Sequence, residues 1–116
     1  MDPRRVLGNR AERLAAEYLE RKGYEILARQ YTTRFGEVDL IAKAGEEIVF
    51  VEVKWRQSLE AGYPEESVHP NKLHRLQIAA EAYLCEQKKE DAPHRYDVVA
   101  MVEEGGRLEI EHLDGI

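Results

Sequence analysis

Asp39 and Glu52 are separated by twelve residues, and Lys54 follows Glu52 by two. Two carboxylates beside an ammonium are the ingredients of cation-assisted work on a phosphodiester. Hard oxygen ligands select Mg²⁺, Mn²⁺ or Ca²⁺, and Mg²⁺ takes one or two carboxylates while keeping several waters. A lysine next to such a cation holds or deprotonates an attacking water and offsets phosphate charge. That chemistry requires the two acids to meet, so the elements that carry them decide the matter.

The acids sit in Val38 to Lys43 and Ile48 to Trp55, two apolar runs around Ala44-Gly45-Glu46-Glu47. This is a hairpin pattern. A glycine followed by any residue suits a type II′ turn, which centres the reversal between Gly45 and Glu46. Antiparallel partners then have numbers that sum to 91. Ile41 faces Phe50, Lys43 faces Ile48, Asp39 faces Glu52 and Glu37 faces Lys54, all eight on one side of the sheet. Leu40, Ala42, Val49, Val51 and Val53 make an apolar opposite side. Directly opposed residues have Cβ atoms about 4.5–5.5 Å apart. Asp39 and Glu52 would thus be pressed together in strands that read as buried, which is costly unless something compensates. Two compensations exist: a salt bridge from Lys54, or a divalent cation held by Asp39, Glu52 and a backbone carbonyl such as that of Val53. An exposed charge ladder on a solvated face is the structural alternative.

The rest of the chain supplies the walls. Ala11, Leu14, Ala15, Tyr18 and Leu19 recur at helical spacing within Arg10 to Lys22, with Asn9 as expected N-cap and Gly23 as C′ residue. Glu12 would then be the N3 residue that bonds back to Asn9, although it also borders the apolar stripe. Tyr24 to Thr33 reads as a strand. Arg56 to His69 holds Gly62, Tyr63, Pro64 and Ser67 without a period and reads as a mobile loop. Pro70 opens a second helix with the stripe Leu73, Leu76, Ala79, Ala80, Tyr83 and Leu84. Lys72 and Arg75 lie in its first turns, where the macrodipole disfavours cations unless a phosphate binds there. Arg95 to Val102 and Arg107 to His112 complete the order helix, three strands, helix, two strands, an α/β layer with a mixed sheet. Cys85 is expected to be a small buried hydrophobe. His69, His74, His94 and His112 show no metal-binding spacing and are expected on the surface.

Composition bounds the function. With 116 residues, 43% hydrophobic and 34% charged, the chain is expected to form one domain, residues 1–116, around a small core. One cysteine excludes an internal disulfide framework and a multi-cysteine metal site. The longest apolar run, Val98 to Val102, is five residues, where a membrane span needs about 20. The start lacks an apolar signal-peptide core, so a cytoplasmic setting is expected. The net charge of −6 argues against a generic polyanion binder. Its distribution is uneven: +3 over 1–34, −5 over 35–66, +2 over 67–89 and −6 over 90–116. An acidic centre lies between two basic blocks.

Gly36-Glu37-Val38-Asp39-Leu40-Ile41 with Phe50-Val51-Glu52-Val53-Lys54 resembles the PD-(D/E)xK nuclease signature. From Gly8 to about Ile110 the chain resembles the YraN-like family, small bacterial proteins similar to archaeal Holliday junction resolvases. Leu14-Ala15-Ala16, Tyr18-Leu19, Lys22-Gly23-Tyr24, Pro70 with Lys72, and Arg95-Tyr96-Asp97-Val98-Val99 carry the likeness beside the hairpin. The resemblance implies a restriction-endonuclease-like core of about five strands and Mg²⁺- or Mn²⁺-dependent cleavage of nucleic acid, with branched DNA as substrate and a homodimer as the working form. It implies Asp39 and Glu52 as metal ligands, Lys54 as the catalytic lysine and Glu12 as the first-helix glutamate. Lys72, Arg75, Arg10 and Arg13 would contact the nucleic acid, and Glu37 would support the site. Trp55 departs from relatives, which often carry Thr or Ser there. The competing expectation is a module that keeps this fold and binds nucleic acid or protein without hydrolysis.

Overall fold

In a computed structural model the backbone is described for residues 3–56 and 70–116, and side chains for 9–56 and 71–116. The elements are α1 (Pro3–Arg21), β1 (Glu25–Thr32), β2 (Glu37–Ala44), β3 (Glu47–Arg56), α2 (Pro70–Glu86), β4 (His94–Glu104) and β5 (Arg107–Leu113). The expected order of helix, three strands, helix and two strands is present. All five strands form one mixed sheet in chain order. Neighbours pair antiparallel except β3 and β4, which are parallel and joined through α2. A parallel pair needs such a crossover, because a hairpin cannot reverse the chain twice. The expected loop at 56–69, with Tyr63 and His69, falls almost wholly outside the described residues.

The hairpin register follows the turn chemistry. Leu40 pairs with Val51, Ile41 with Phe50, Ala42 with Val49 and Lys43 with Ile48, all summing to 91. Gly45 has φ +61°, while Glu46 is not among the residues of positive φ, as a type II′ turn demands. The sheet therefore buries both faces. Ala11, Ala15, Ala16 and Leu19 of α1 pack on Leu40, Ala42, Val49, Val51, Val99 and Met101. Leu76, Ala79, Ala80 and Leu84 of α2 pack on Ile41, Ile48 and Phe50. The charged ends of β2 and β3 consequently emerge beside a covered sheet, not on an open solvated face.

Four local expectations fail. Helix α1 begins at Pro3, so Asn9 is inside the helix and is not its cap. Its Oδ1 instead accepts from Gln30 Nε2 at 2.9 Å. Glu12 likewise is no capping-box residue. The C-terminal end does behave as expected: Gly23 has φ +93°, its N–H donates to Glu20, and Tyr24 N–H donates to Leu19, a Schellman arrangement. Cys85 is exposed, because its position falls on the outer side of α2. His112 is not a surface residue: its side chain is 3% exposed and Nε2 lies 2.7 Å from Asp97 Oδ2. Lys22 Nζ, which can only donate, lies 2.8 Å from Nδ1, so Nδ1 accepts and Nε2 carries the proton given to Asp97. Asp97 is fully buried and also accepts from Arg95 Nε at 3.0 Å and Gly115 N–H at 3.1 Å. Burial works against its charge, but the His112 and Arg95 contacts win and hold the carboxyl below its ordinary range. This network ties β4 and β5 to the last residues of the chain.

Gly36 closes the β1–β2 connection against α2. A Cβ there would stand 2.0 Å from the Arg75 carbonyl oxygen. Backbone cannot swing aside as a side-chain tip would, so overpacking is unavoidable. Gly36→Ala is expected to cost about 1–3 kcal/mol, read as a lower urea midpoint at unchanged slope. An unchanged midpoint would contradict this packing.

Candidate active site at the end of the β2–β3 ladder

The last ladder pair between β2 and β3 is Leu40 with Val51. One step further along the same register stand Asp39 and Glu52. There the main chains stop bonding to each other, and Val53 N–H donates to Asp39 Oδ2 at 2.8 Å instead. The side chain replaces the strand partner. This fixes the Asp39 side chain against β3. Val53 keeps its other neighbour, pairing with Val99 of β4.

Glu52 is 6% exposed, one of two buried charged residues among those described, the other being Asp97. Burial, then the Glu52 charge, pushes the Asp39 carboxyl up to about 8, and a hydrogen bond to Glu52 adds to this. The two acids thus lie within reach of each other. Two ammonium groups answer it. Lys72 Nζ lies 2.8 Å from Glu52 Oε1, and Lys54 Nζ lies 3.6 Å from the same oxygen. Burial, then the charge and contact of Lys72, lowers Lys54 to about 8. Lys72 is itself half in solvent. Burial works against its ammonium too, but Glu52 and Lys54 outweigh it and leave its pKa above the ordinary value.

Helix α1 supplies the third acid. Glu12 Oε2 accepts from Gln30 Nε2 at 2.7 Å, and Gln30 spans Asn9 and Glu12. Gln30 holds φ +50°, a left-handed conformation uncommon for a residue other than glycine. Such strain persists where surroundings over-determine it, and it gathers at functional sites. Burial raises the Glu12 carboxyl; Gln30 opposes this, while Glu37 and Glu52 reinforce it. Asn9, Glu12, Gln30, Thr32, Glu37, Val38 and Asp39 line a polar cleft of about 350 Å³. Nothing in the sequence pointed to Gln30, since its role depends on a backbone twist and on a helix 18 residues earlier.

The other predicted residues are placed as follows. Glu37 lines the cleft near Glu12, while the ion pair of Lys54 runs to Glu52. Arg75 is exposed one turn beyond Lys72, and Arg13 is exposed on α1. Arg10 places its guanidinium 5.9 Å from the centre of the Trp55 ring. Trp55 packs on the α1 side of the core, so it covers apolar surface there.

Among the described residues, no group of three or more His, Cys, Asp or Glu is close enough to hold a metal by itself. A transition-metal cage is not what these donors make. Two adjacent carboxylates suit an ion that keeps most of its water, as Mg²⁺ does. Burial and the Glu52 charge raise the Asp39 carboxyl, and Lys72 and Lys54 answer the charge of Glu52.

The acidic pair also leaves a thermodynamic trace. The unfolded chain releases the Asp39 proton near its ordinary value of about 3.9, and the native protein retains it until about 8. Between those values the native state binds more protons, so its stability falls as pH rises. Asp39→Asn removes this titration and keeps an oxygen for Val53 N–H. In metal-free buffer its Tm is expected to exceed that of the wild type at about pH 8.5, by about 3–6 °C per kcal/mol recovered, and the gap should shrink near pH 5. A variant that melts below the wild type at both pH values would contradict the strained pair.

The model of the uncharacterised protein family UPF0102 matches residues 11–101, which contain Glu12, Asp39, Glu52, Lys54 and Lys72. A UPF0102 protein of Syntrophomonas wolfei is 45% identical over 109 residues, covering 94% of this chain and 95% of the relative. One from Caldicellulosiruptor saccharolyticus is 48% identical over 96 residues, 83% and 81% of the two chains. One from Rhodococcus opacus is 44% identical over 109 residues, 93% and 92%. The chain belongs to the UPF0102 family, the YraN family that its sequence resembles from Gly8 to about Ile110.

Proposed function

We propose that this protein is a Mg²⁺- or Mn²⁺-dependent endonuclease that hydrolyses phosphodiester bonds of branched DNA. The observation that carries the reading is the meeting of Asp39 and Glu52 where the β2–β3 ladder ends, with two lysines on Glu52. Asp39, Glu52 and the Val53 carbonyl would hold the metal. Bound there, it would supply a Lewis acid for the phosphate and an acidified water. Lys54, with its proton affinity lowered to about 8, would hold the attacking water or accept a proton near neutral pH. Lys72 stands at the first turn of α2, a helix with no acid in that turn, and its half-exposed ammonium can pass from Glu52 to a phosphate. Glu12, held by Gln30, adds negative charge on the opposite wall. Arg10, Arg13 and Arg75 would follow the DNA backbone. Two such sites in a homodimer would address the two strands of a junction. The described helices include none long and apolar enough to cross a membrane.

One observation favours a second reading, a DNA- or protein-binding module without hydrolysis. Lys72 and Lys54 already offset the Glu52 charge without any metal. Calorimetry separates the two. The nuclease reading expects Mn²⁺ binding that Glu52→Ala abolishes. It also expects cleavage of four-way or flapped DNA that Asp39→Ala or Glu52→Ala reduces about 100-fold or more. An Asp39→Ala or Glu52→Ala protein that still cleaves would end the assignment. DNA affinity without metal binding would establish the module.

A further inference from the structure

Phe35 is 64% exposed, the most exposed large hydrophobic side chain among the described residues. It is held out by a stiff turn. Thr33 Oγ1 accepts from Phe35 N–H at 3.3 Å and from Gly36 N–H at 3.0 Å, and Thr33 N–H donates to the Gly36 carbonyl at 2.8 Å. Gly36 is jammed against the Arg75 carbonyl, which pins the turn to α2. The ring therefore has little room to fold back onto the core, and its ordering cost is met before anything binds. Its position is as telling. Glu37, two residues on, lines the acidic cleft, and Asp39 follows on the same strand. Arg75, behind the turn, is one helical turn from Lys72, which touches Glu52. The Arg34 guanidinium lies 5.3 Å from the Phe35 ring centre.

We infer that Phe35 is a stacking platform for one unpaired nucleobase, with Arg34 and Arg75 taking the adjoining phosphates. Every base has a π-face, and base–aromatic stacking beside a cationic groove is how unpaired strands are held. A paired base inside a duplex offers no free face to a side chain at the rim. Phe35 would thus direct the enzyme to forks, flaps or junctions. A second protein copy fits this surface poorly. One ring contributes about 150–250 Å², against about 800 Å² per partner in a stable interface, and its neighbours are charged. The inference rests on the nuclease reading for its substrate, but it concerns binding and is tested apart from turnover.

The test uses fluorescence anisotropy in Ca²⁺ with two DNA probes, a fully paired duplex and the same duplex ending in an unpaired flap. The flap carries 2-aminopurine at its first unpaired base. The wild type is expected to prefer the flapped probe and to quench the 2-aminopurine. Phe35→Ala should lose about 10-fold in affinity for the flapped probe and lose the quenching, with duplex affinity unchanged. Phe35→Trp should keep both. Equal loss on both probes, no loss on either, or no binding by the wild type would overturn the inference. So would a wild-type dimer that Phe35→Ala splits in light scattering. Flap binding through Phe35 by a protein that never cleaves in Mg²⁺ or Mn²⁺ would refute the nuclease reading and leave the stacking role standing. Cleavage that ignores Phe35→Ala on flapped DNA would do the reverse.

Discussion

Two like charges at neighbouring positions of a buried sheet are the constraint around which this molecule is arranged. The β2–β3 turn at Gly45 sets the register down to Leu40 and Val51, and Asp39 and Glu52 are the next residues, where the ladder ends. Neither acid can leave without shifting the whole hairpin by a residue, which would turn its apolar set to the wrong face. The protein accommodates the repulsion by opening the ladder at that step. Asp39 takes the Val53 N–H that a strand partner would otherwise hold. The raised proton affinity of Asp39 and the two ammonium groups at Glu52 do the rest.

The helices serve this pair from opposite faces. Helix α1 fills one face with small residues, Ala11, Ala15 and Ala16, and so lies close enough for Glu12 to face the cleft. Gln30 fixes it there at the expense of a left-handed backbone. Helix α2 covers the other face through Leu76, Ala79, Ala80 and Leu84, and its first turn brings Lys72 onto Glu52. Acids on one wall and bases on the other give the site polarity, which the proposed nuclease would use to hold a cation beside a phosphate. Stability is sacrificed at Asp39, Glu52 and Gln30, and such local breaches of sheet rules are where function is expected.

The hairpin was legible because its determinants are local. Alternating apolar residues and a Gly-Glu turn fix which side chains oppose each other, and the Asp39–Glu52 meeting follows by counting. The stripes of both helices were legible for the same reason. What was hidden depends on distant parts of the chain. Pro3 starts α1 six residues before Asn9, which turns an apparent cap into a partner for Gln30. His112 looked like a surface residue until β4 laid Asp97 beneath it. Cys85 looked buried because it neighbours an apolar stripe, yet a step of one residue on a helix moves a side chain by about 100°. Lys72 carried only a helix-start argument in the sequence, and its contact with Glu52 arises from packing of α2 across the sheet.

The central claim is that Asp39 and Glu52 together form a cation site. Crystals soaked in Mn²⁺ and measured at the manganese absorption edge test it most directly. The account requires an anomalous peak between the two carboxylates, with Lys72 withdrawn from Glu52 Oε1, and no peak in Glu52→Ala crystals. A wild-type crystal without manganese there, its Lys72 still on Glu52, would contradict it.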